Sequence, residues 1–279
     1  MRLLSIQLNE KEVEVIDFHV HTFPDEIANR AITKLESIAN LSAHTNGTIV
    51  DTIEKMKLHH IDKSVLLNIA TTPFQQTTIN NNVKTINDEY SDFLIAFGSV
   101  HFLSEDCDKE LERIKSLGIK GIKLHPDYQD FMIDDERLFP IYEKCQELQM
   151  PIVFHAGWDC YSPECIHAKP EASRNVLNTF PKLEIILAHM GGIHCWDDVE
   201  KYLIGENVYL DTSMCHTYAN KAQIERMIQM HDEDKILFGS DCPWENPSNT
   251  IAYILSMKLS DQLKENIFSA NAKKLLNLD

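Results

Sequence analysis

The chain has 279 residues, 43% hydrophobic and 25% charged, an ordinary composition for a globular protein able to bury a large core. Its 26 basic and 43 acidic residues give a formal net charge of −17, which argues against a polyanion such as DNA as main partner. The apolar runs are strand-sized, short of the ~20 residues a membrane-spanning helix needs.

The first run starts at Val13 and ends in Asp17-Phe18-His19-Val20-His21. Strict alternation along a strand puts Asp17, His19 and His21 on one face and Ile16, Phe18 and Val20 on the other, so the two imidazoles can share a metal ion. Taken alone, a pair of buried structural histidines explains His-x-His as well. Residues 25–40 have helical spacing in Ile27, Ile32, Leu35 and Ile38; a polar break at 44–48 and a second helix at 49–60 follow. Residues 64–69 form a short, nearly continuous apolar strand, as in a parallel sheet covered on both faces. The pattern repeats as helix 80–90, strand 94–100, helix 104–117 closed by Gly118, strand 121–125, helix 134–148 and strand 151–155. Further strands are predicted at 184–189, 208–211 and 236–241. About eight strands, each followed by a helical pattern, predict a (β/α)8 TIM barrel in one domain over 1–279. An extra C-terminal helical segment, 260–277, is expected to pack on the outside of the barrel.

In such a barrel the chemistry gathers at the carboxyl ends of the strands. The closing residues here are His19 and His21 on the first strand, Lys123 and His125 on the fourth, His155 on the fifth, His189 on the sixth, Asp211 on the seventh and Asp241 on the eighth. Histidines at the same end of four strands, with a terminal aspartate on another, point to a metal site. A divalent ion held by imidazoles and a carboxylate, with an open position, activates water and polarises a carbonyl. Zn2+ suits these ligands best, and Mn2+, Fe2+ or Co2+ is compatible with them. The longest irregular connection, 156–169, follows His155 and is expected over the barrel mouth. There Trp158, Tyr161, His167 and Arg174 are candidates for substrate contact, Arg174 through a bidentate carboxylate pair.

The motifs Asp17-Phe18-His19-Val20-His21, Gly121-Ile122-Lys123-Leu124-His125-Pro126, Phe154-His155-Ala156-Gly157, Leu187-Ala188-His189-Met190-Gly191-Gly192 and Phe238-Gly239-Ser240-Asp241-Cys242-Pro243-Trp244 resemble the amidohydrolase superfamily. Within it they resemble the amidohydrolase-2 group, which includes aminocarboxymuconate-semialdehyde decarboxylase-like enzymes. The resemblance implies one divalent metal held by His19, His21, His155 and Asp241. It also implies Asp241 as the proton-transferring carboxylate and His189 as the histidine that polarises the substrate carbonyl or steadies the water. Lys123 and His125 are expected to bind substrate, with a binuclear site bridged by a carbamylated Lys123 as the minority reading.

The expected function is hydrolysis of a C–N or C–O acyl bond in a small molecule, with non-oxidative decarboxylation of a small unsaturated or aromatic acid as the alternative. A TatD-like nuclease, which usually has a glutamate where Lys123 stands, and a non-catalytic metal-binding barrel are minority alternatives. Seven cysteines without a Cys-x-x-Cys pair suit reduced thiols, and residues 1–10 lack the apolar core of a secretory leader. Together these point to the cytoplasm. A small molecule is the expected partner, with neither nucleic acid nor membrane, and a homodimer is compatible with the sequence.

Overall fold

A computed structural model describes residues 6–8 and 11–278. The stretch read for a leader, 1–10, therefore falls mostly outside the described residues. The described chain begins with an antiparallel pair of short strands, β1 (Gln7–Leu8) and β2 (Lys11–Glu12), which the apolar pattern does not foretell.

Eight parallel strands follow: β3 (Ile16–Val20), β4 (Lys63–Leu67), β5 (Leu94–Phe97), β6 (Ile122–Leu124), β7 (Ile152–Phe154), β8 (Ile185–Leu187), β9 (Tyr209–Asp211) and β10 (Ile236–Leu237). Helices α1 (Asp25–Ala39) and α2 (Ile49–His59) follow β3, α3 (Gln76–Glu89) follows β4, and α4 (Cys107–Ser116) follows β5. After β6 come α5 (Pro126–Gln129) and α6 (Phe139–Glu147), after β7 α7 (Pro170–Thr179), and after β8 α8 (Trp196–Tyr202). Helices α9 (Cys215–Tyr218) and α10 (Lys221–Met230) follow β9, and α11 (Pro247–Leu255), α12 (Asp261–Glu265) and α13 (Asn271–Leu276) follow β10.

Strands β3 to β5 and β6 to β10 pair in sequence order. The bridges Gly98↔Ile122 and Val20↔Cys242 join the two groups at both seams and close an eight-stranded barrel. At the second seam Phe18 donates its N–H to Phe238 O at 2.8 Å, and Asp241 donates to His19 O at 2.8 Å. The TIM-barrel expectation therefore holds, with strands shorter than the apolar runs because the chain turns out into loops at their polar ends.

Alternation sorts the side chains into two layers. Val65, Leu67, Ile95, Phe97, Val153, Ile186, Tyr209 and Leu237 fill the lumen, while Ile122, Leu124, Ile152, Phe154 and Leu210 face the helices. Lys123 thereby points inward, as expected. On β3 the alternation breaks. Asp17 pairs with Ser64 and Val20 with Leu66, so three residues of β3 are spanned by two of β4, a bulge. Phe18 stays in the lumen layer beside Phe97, and His19 also turns inward. Asp17 is left facing Ser240, Thr52 and Met56 on the helix side. The expected face shared by Asp17, His19 and His21 is corrected accordingly: only the two histidines share it.

The C-terminal segment also differs from expectation. Ala272, Leu275 and Leu276 of α13 join the lumen cluster instead of packing outside the barrel. Lys120, just before β6, donates to Leu276 O at 2.8 Å, and Lys273 pairs with Glu14, just before β3. The helix thus plugs the amino-terminal end of the barrel, because its apolar i, i+3, i+4 stripe covers lumen residues that would otherwise meet water.

Helix boundaries follow local chemistry. The Thr48 hydroxyl accepts from Asp51 N to start α2, and His60 ends it in the left-handed conformation. Helix α1 is different: only Ala28 and Ile32 of its 15 residues are buried.

Candidate active site

Three atoms converge at the carboxyl end of the barrel. His19 Nε2 and His21 Nε2 lie 3.1 Å apart, and Asp241 Oδ1 is 3.4 Å from the first and 3.1 Å from the second. The other nitrogen of each ring is committed. His19 Nδ1–H donates to Asp211 Oδ2 at 2.8 Å, and His21 Nδ1–H donates to Leu67 O at 3.0 Å. In the neutral rings both Nε2 atoms then carry lone pairs, so their approach is not a hydrogen bond. Asp241 Oδ1 is buried and has no hydrogen-bond partner. Three converging lone pairs call for a cation. Two donor atoms each about 2.1 Å from one ion lie about 3.0–3.4 Å apart, which is the size of this triangle. The residues fit a divalent metal.

Neighbouring groups hold the triangle in shape. Asp211, wholly buried, also accepts from His189 N and Ser213 N, both at 3.0 Å, and from the Ser213 hydroxyl. Its oxygens are used up in orienting His19 and His189. Asp17 accepts from Ser240 N at 2.9 Å, from the Ser240 hydroxyl and from His19 N at 3.2 Å, which ties β3 to the loop after β10. Gly239 makes room beside them, since a Cβ there would lie 3.0 Å from His19 Cβ. Asp241 (φ 69°) and His189 (φ 59°) both adopt the left-handed backbone that non-glycine residues seldom visit. Trp196 Nε1–H donates to His189 O at 3.0 Å and helps to keep it there.

His155 stands beside the triangle instead of within it. Its Nδ1 faces His189 Nε2 at 3.1 Å, and its Nε2 lies 3.5 Å from Asp159 Oδ2. His125 Nε2 is 3.7 Å from the same oxygen, and the His125 and His155 rings stack at 4.5 Å. Burial keeps these imidazoles uncharged: His155 falls to about 4 and His189 to about 3, while His21 and His125 are also lowered. Asp159 moves the other way, raised to about 6, chiefly by burial. Burial would raise Asp241 too, but positive charge at His19 and His21 outweighs it and holds the carboxyl below the usual range; with those rings neutral, a bound cation would supply that charge. Burial lowers Lys123 to about 8 against the pull of Asp211, Asp241 and Asp159.

His19, His21, Lys123, His125, His155, Trp158, His189 and Asp241 all line one cavity of about 1000 Å3. Tyr161 and Trp244 line it as well. Arg174 does not: on α7 it pairs with Glu206 at 2.9 Å, so the expected substrate contact is corrected to a surface ion pair. His167 is drawn aside by Asp127, at 3.0 Å, and is not part of the cavity wall. Sequence reasoning missed Asp159, although it lies four residues after His155 in the loop already placed over the mouth. It also missed Tyr128, stacked on His125 at 3.8 Å, and the wall supplied by α1.

A family model described as amidohydrolase matches residues 16–278, and the chain belongs to that family. Two curated relatives are similar to it. The 2-keto-4-carboxy-3-hexenedioate hydratase of Sphingobium sp. (strain NBRC 103272 / SYK-6) is 27% identical over 206 residues, 60% of this chain and 59% of the relative. The 2-amino-3-carboxymuconate-6-semialdehyde decarboxylase of Dictyostelium discoideum is 24% identical over 242 residues, 72% of this chain and 66% of the relative. The matches thus span about three fifths to two thirds of these relatives' length. Among solved structures, 5-carboxyvanillate decarboxylase of Novosphingobium aromaticivorans, complexed with manganese and 4-hydroxy-3-methoxy-5-nitrobenzoic acid, shares the fold. Its TM-score is 0.71 at 18% identity, covering 95% of this chain and 96% of that one. No helix among the described residues is long and apolar enough to cross a membrane.

Proposed function

We propose that the chain is a metal-dependent lyase that releases CO2 from an unsaturated or aromatic carboxylic acid. The observation that carries this reading is Lys123. Its ammonium group belongs to a residue only 1% exposed, lines the cavity beside the His19–His21–Asp241 triangle, and enters no ion pair among the described residues. A buried charge left unpaired costs several kcal/mol, and a substrate carboxylate would supply its partner. The relatives' names, a hydratase and a decarboxylase of carboxylated compounds, support this reading over the acyl hydrolysis expected first.

His19, His21 and Asp241 would hold the ion, with His155 as the fourth ligand that the family resemblance implies. Zn2+ and Mn2+ suit such nitrogen and carboxylate donors alike, and the related decarboxylase was solved with manganese. The ion would bind substrate oxygens and stabilise the negative charge that develops as the C–C bond breaks. Lys123 Nζ pairs with the carboxylate and orients it, with His125 and Trp158 as neighbouring walls. The carbon that loses CO2 must gain a proton. Asp241, held ionised, has none in store, so it acts as a relay that takes a proton from a substrate hydroxyl and returns it to carbon. His189, with Nδ1 fixed 2.8 Å from the Ser213 hydroxyl, keeps Nε2 facing His155 at 3.1 Å and lines the pocket beside the triangle. An acid anion and a proton give the shortened product and CO2, and no water is consumed.

The test is a panel of hydroxylated benzoic and unsaturated acids incubated with metal-loaded protein in D2O. The proposal expects CO2 with a deuteron on the carbon that carried it, and loss of both on chelation. Cleavage of amides or lactones with oxygen taken up from water, and no CO2 from any acid, would return the hydrolytic reading.

A further inference from the structure

We infer that the substrate acid carries a long apolar arm ending in a second anionic group, and that the arm lies between α1 and α3; this rests on the acid reading above. The cavity is at the upper end of the ~300–1000 Å3 usual for small-molecule sites, far more than a single ring fills. Its shape follows from its walls. Ile27, Ala31, Leu35 and Ile38 recur at helical spacing from the first turn of α1 to the last, so the cavity follows the whole helix, about 22 Å at 1.5 Å per residue. Phe74 and Ile79, at the start of α3 and just before it, form the facing wall, and Phe74 is 94% exposed. This apolar trough is continuous with the polar floor at His19 and Lys123. An apolar arm would cover side chains that water now wets.

Two cations midway along α1 mark where the arm would end. Arg30 and Lys34 line the same cavity one helical turn apart and are exposed, and neither enters an ion pair among the described residues. In a chain of net charge −17, two unpaired cations on one helix face beside an apolar trough favour an anion there.

Titration calorimetry of the metal-loaded protein with benzoate, para-octyloxybenzoate and the diacid bearing a terminal carboxylate on that octyl chain tests this. The octyl acid should bind about a hundredfold tighter than benzoate. The diacid should bind about tenfold tighter again at low salt. Ala31→Trp on α1 and Thr78→Trp on α3 narrow the trough from opposite sides, and each should cut the long-to-short ratio about tenfold. The pair Arg30→Ala and Lys34→Ala should erase the diacid's advantage while keeping the gain from the octyl chain. Equal affinity for benzoate and octyloxybenzoate overturns the inference and leaves the acid reading standing. A diacid advantage that survives loss of both cations overturns the anionic end. If the amide of the octyl acid binds as well as the acid, the trough stands and the acid reading falls.

Discussion

Asp241 and Cys242 are neighbours in sequence with opposite surroundings, and this makes them a controlled pair. Asp241 turns inward to His19 and His21, whereas Cys242 packs by Val20 and Met56, its thiol pushed up by burial. Asp241→Asn should keep the fold and lose about a thousandfold in turnover, because the amide cannot relay a proton or balance the ion's charge. Cys242→Ala should leave turnover within about twofold. Steady-state rates on an accepted acid, with circular dichroism as the folding control, decide between them. Lys123 sets a second expectation. Below about 8 its ammonium is charged and able to pair with a carboxylate; above it the charge is lost, so, on the proposed function, KM for an acid substrate should rise with pH through that value. Lys123→Met should show the high KM at every pH. Asp17 gives a stability signature. Burial raises its carboxyl from 3.8 to about 7, so its protonated form is favoured in the fold. That favourable contribution is complete below the unfolded value and is lost as pH rises through about 7. Asp17→Asn should remove this part of the pH dependence in denaturant titrations.

The elements that matter most are the seam strands β3 and β10, which supply the whole triangle. Gly239→Ala would push a methyl to 3.0 Å from His19 Cβ and 3.3 Å from Asp211 Cβ. It should cost about 1–3 kcal/mol in stability and weaken metal retention, measured by denaturation and by competition with a chelator. At this scale the sequence was informative where side-chain pattern alone decides the outcome. The eight strands, the inward Lys123 and the helices at 25–40 and 49–60 all follow from apolar period and capping. The bulge in β3 could not be read, because it is set by pairing with β4 and leaves the local pattern of Asp17 to His21 unchanged. The same holds for α13, whose apolar stripe fits an outer groove or the barrel's floor equally well until closure exposes a lumen to be covered.

For the whole molecule, closure of the barrel brings residues more than 200 positions apart, such as Asp17 and Ser240, into contact and assembles a site from five strand ends. Polar residues closing apolar strands marked most of its members in advance: His19, His21, Lys123, His125, His155, His189 and Asp241 all line the one cavity. Arg174 misled because a helix residue near a mouth loop in sequence has its direction set by tertiary packing, here toward Glu206. Every role proposed for the pocket depends on the triangle of His19, His21 and Asp241 being a cation site. Elemental analysis of the purified protein beside His21→Ala measures this directly. The expected result is about one equivalent of a divalent transition metal per chain, lost in the variant while the fold persists. A protein that takes up no such metal when it is supplied, or a His21→Ala variant that retains the full equivalent, would contradict it.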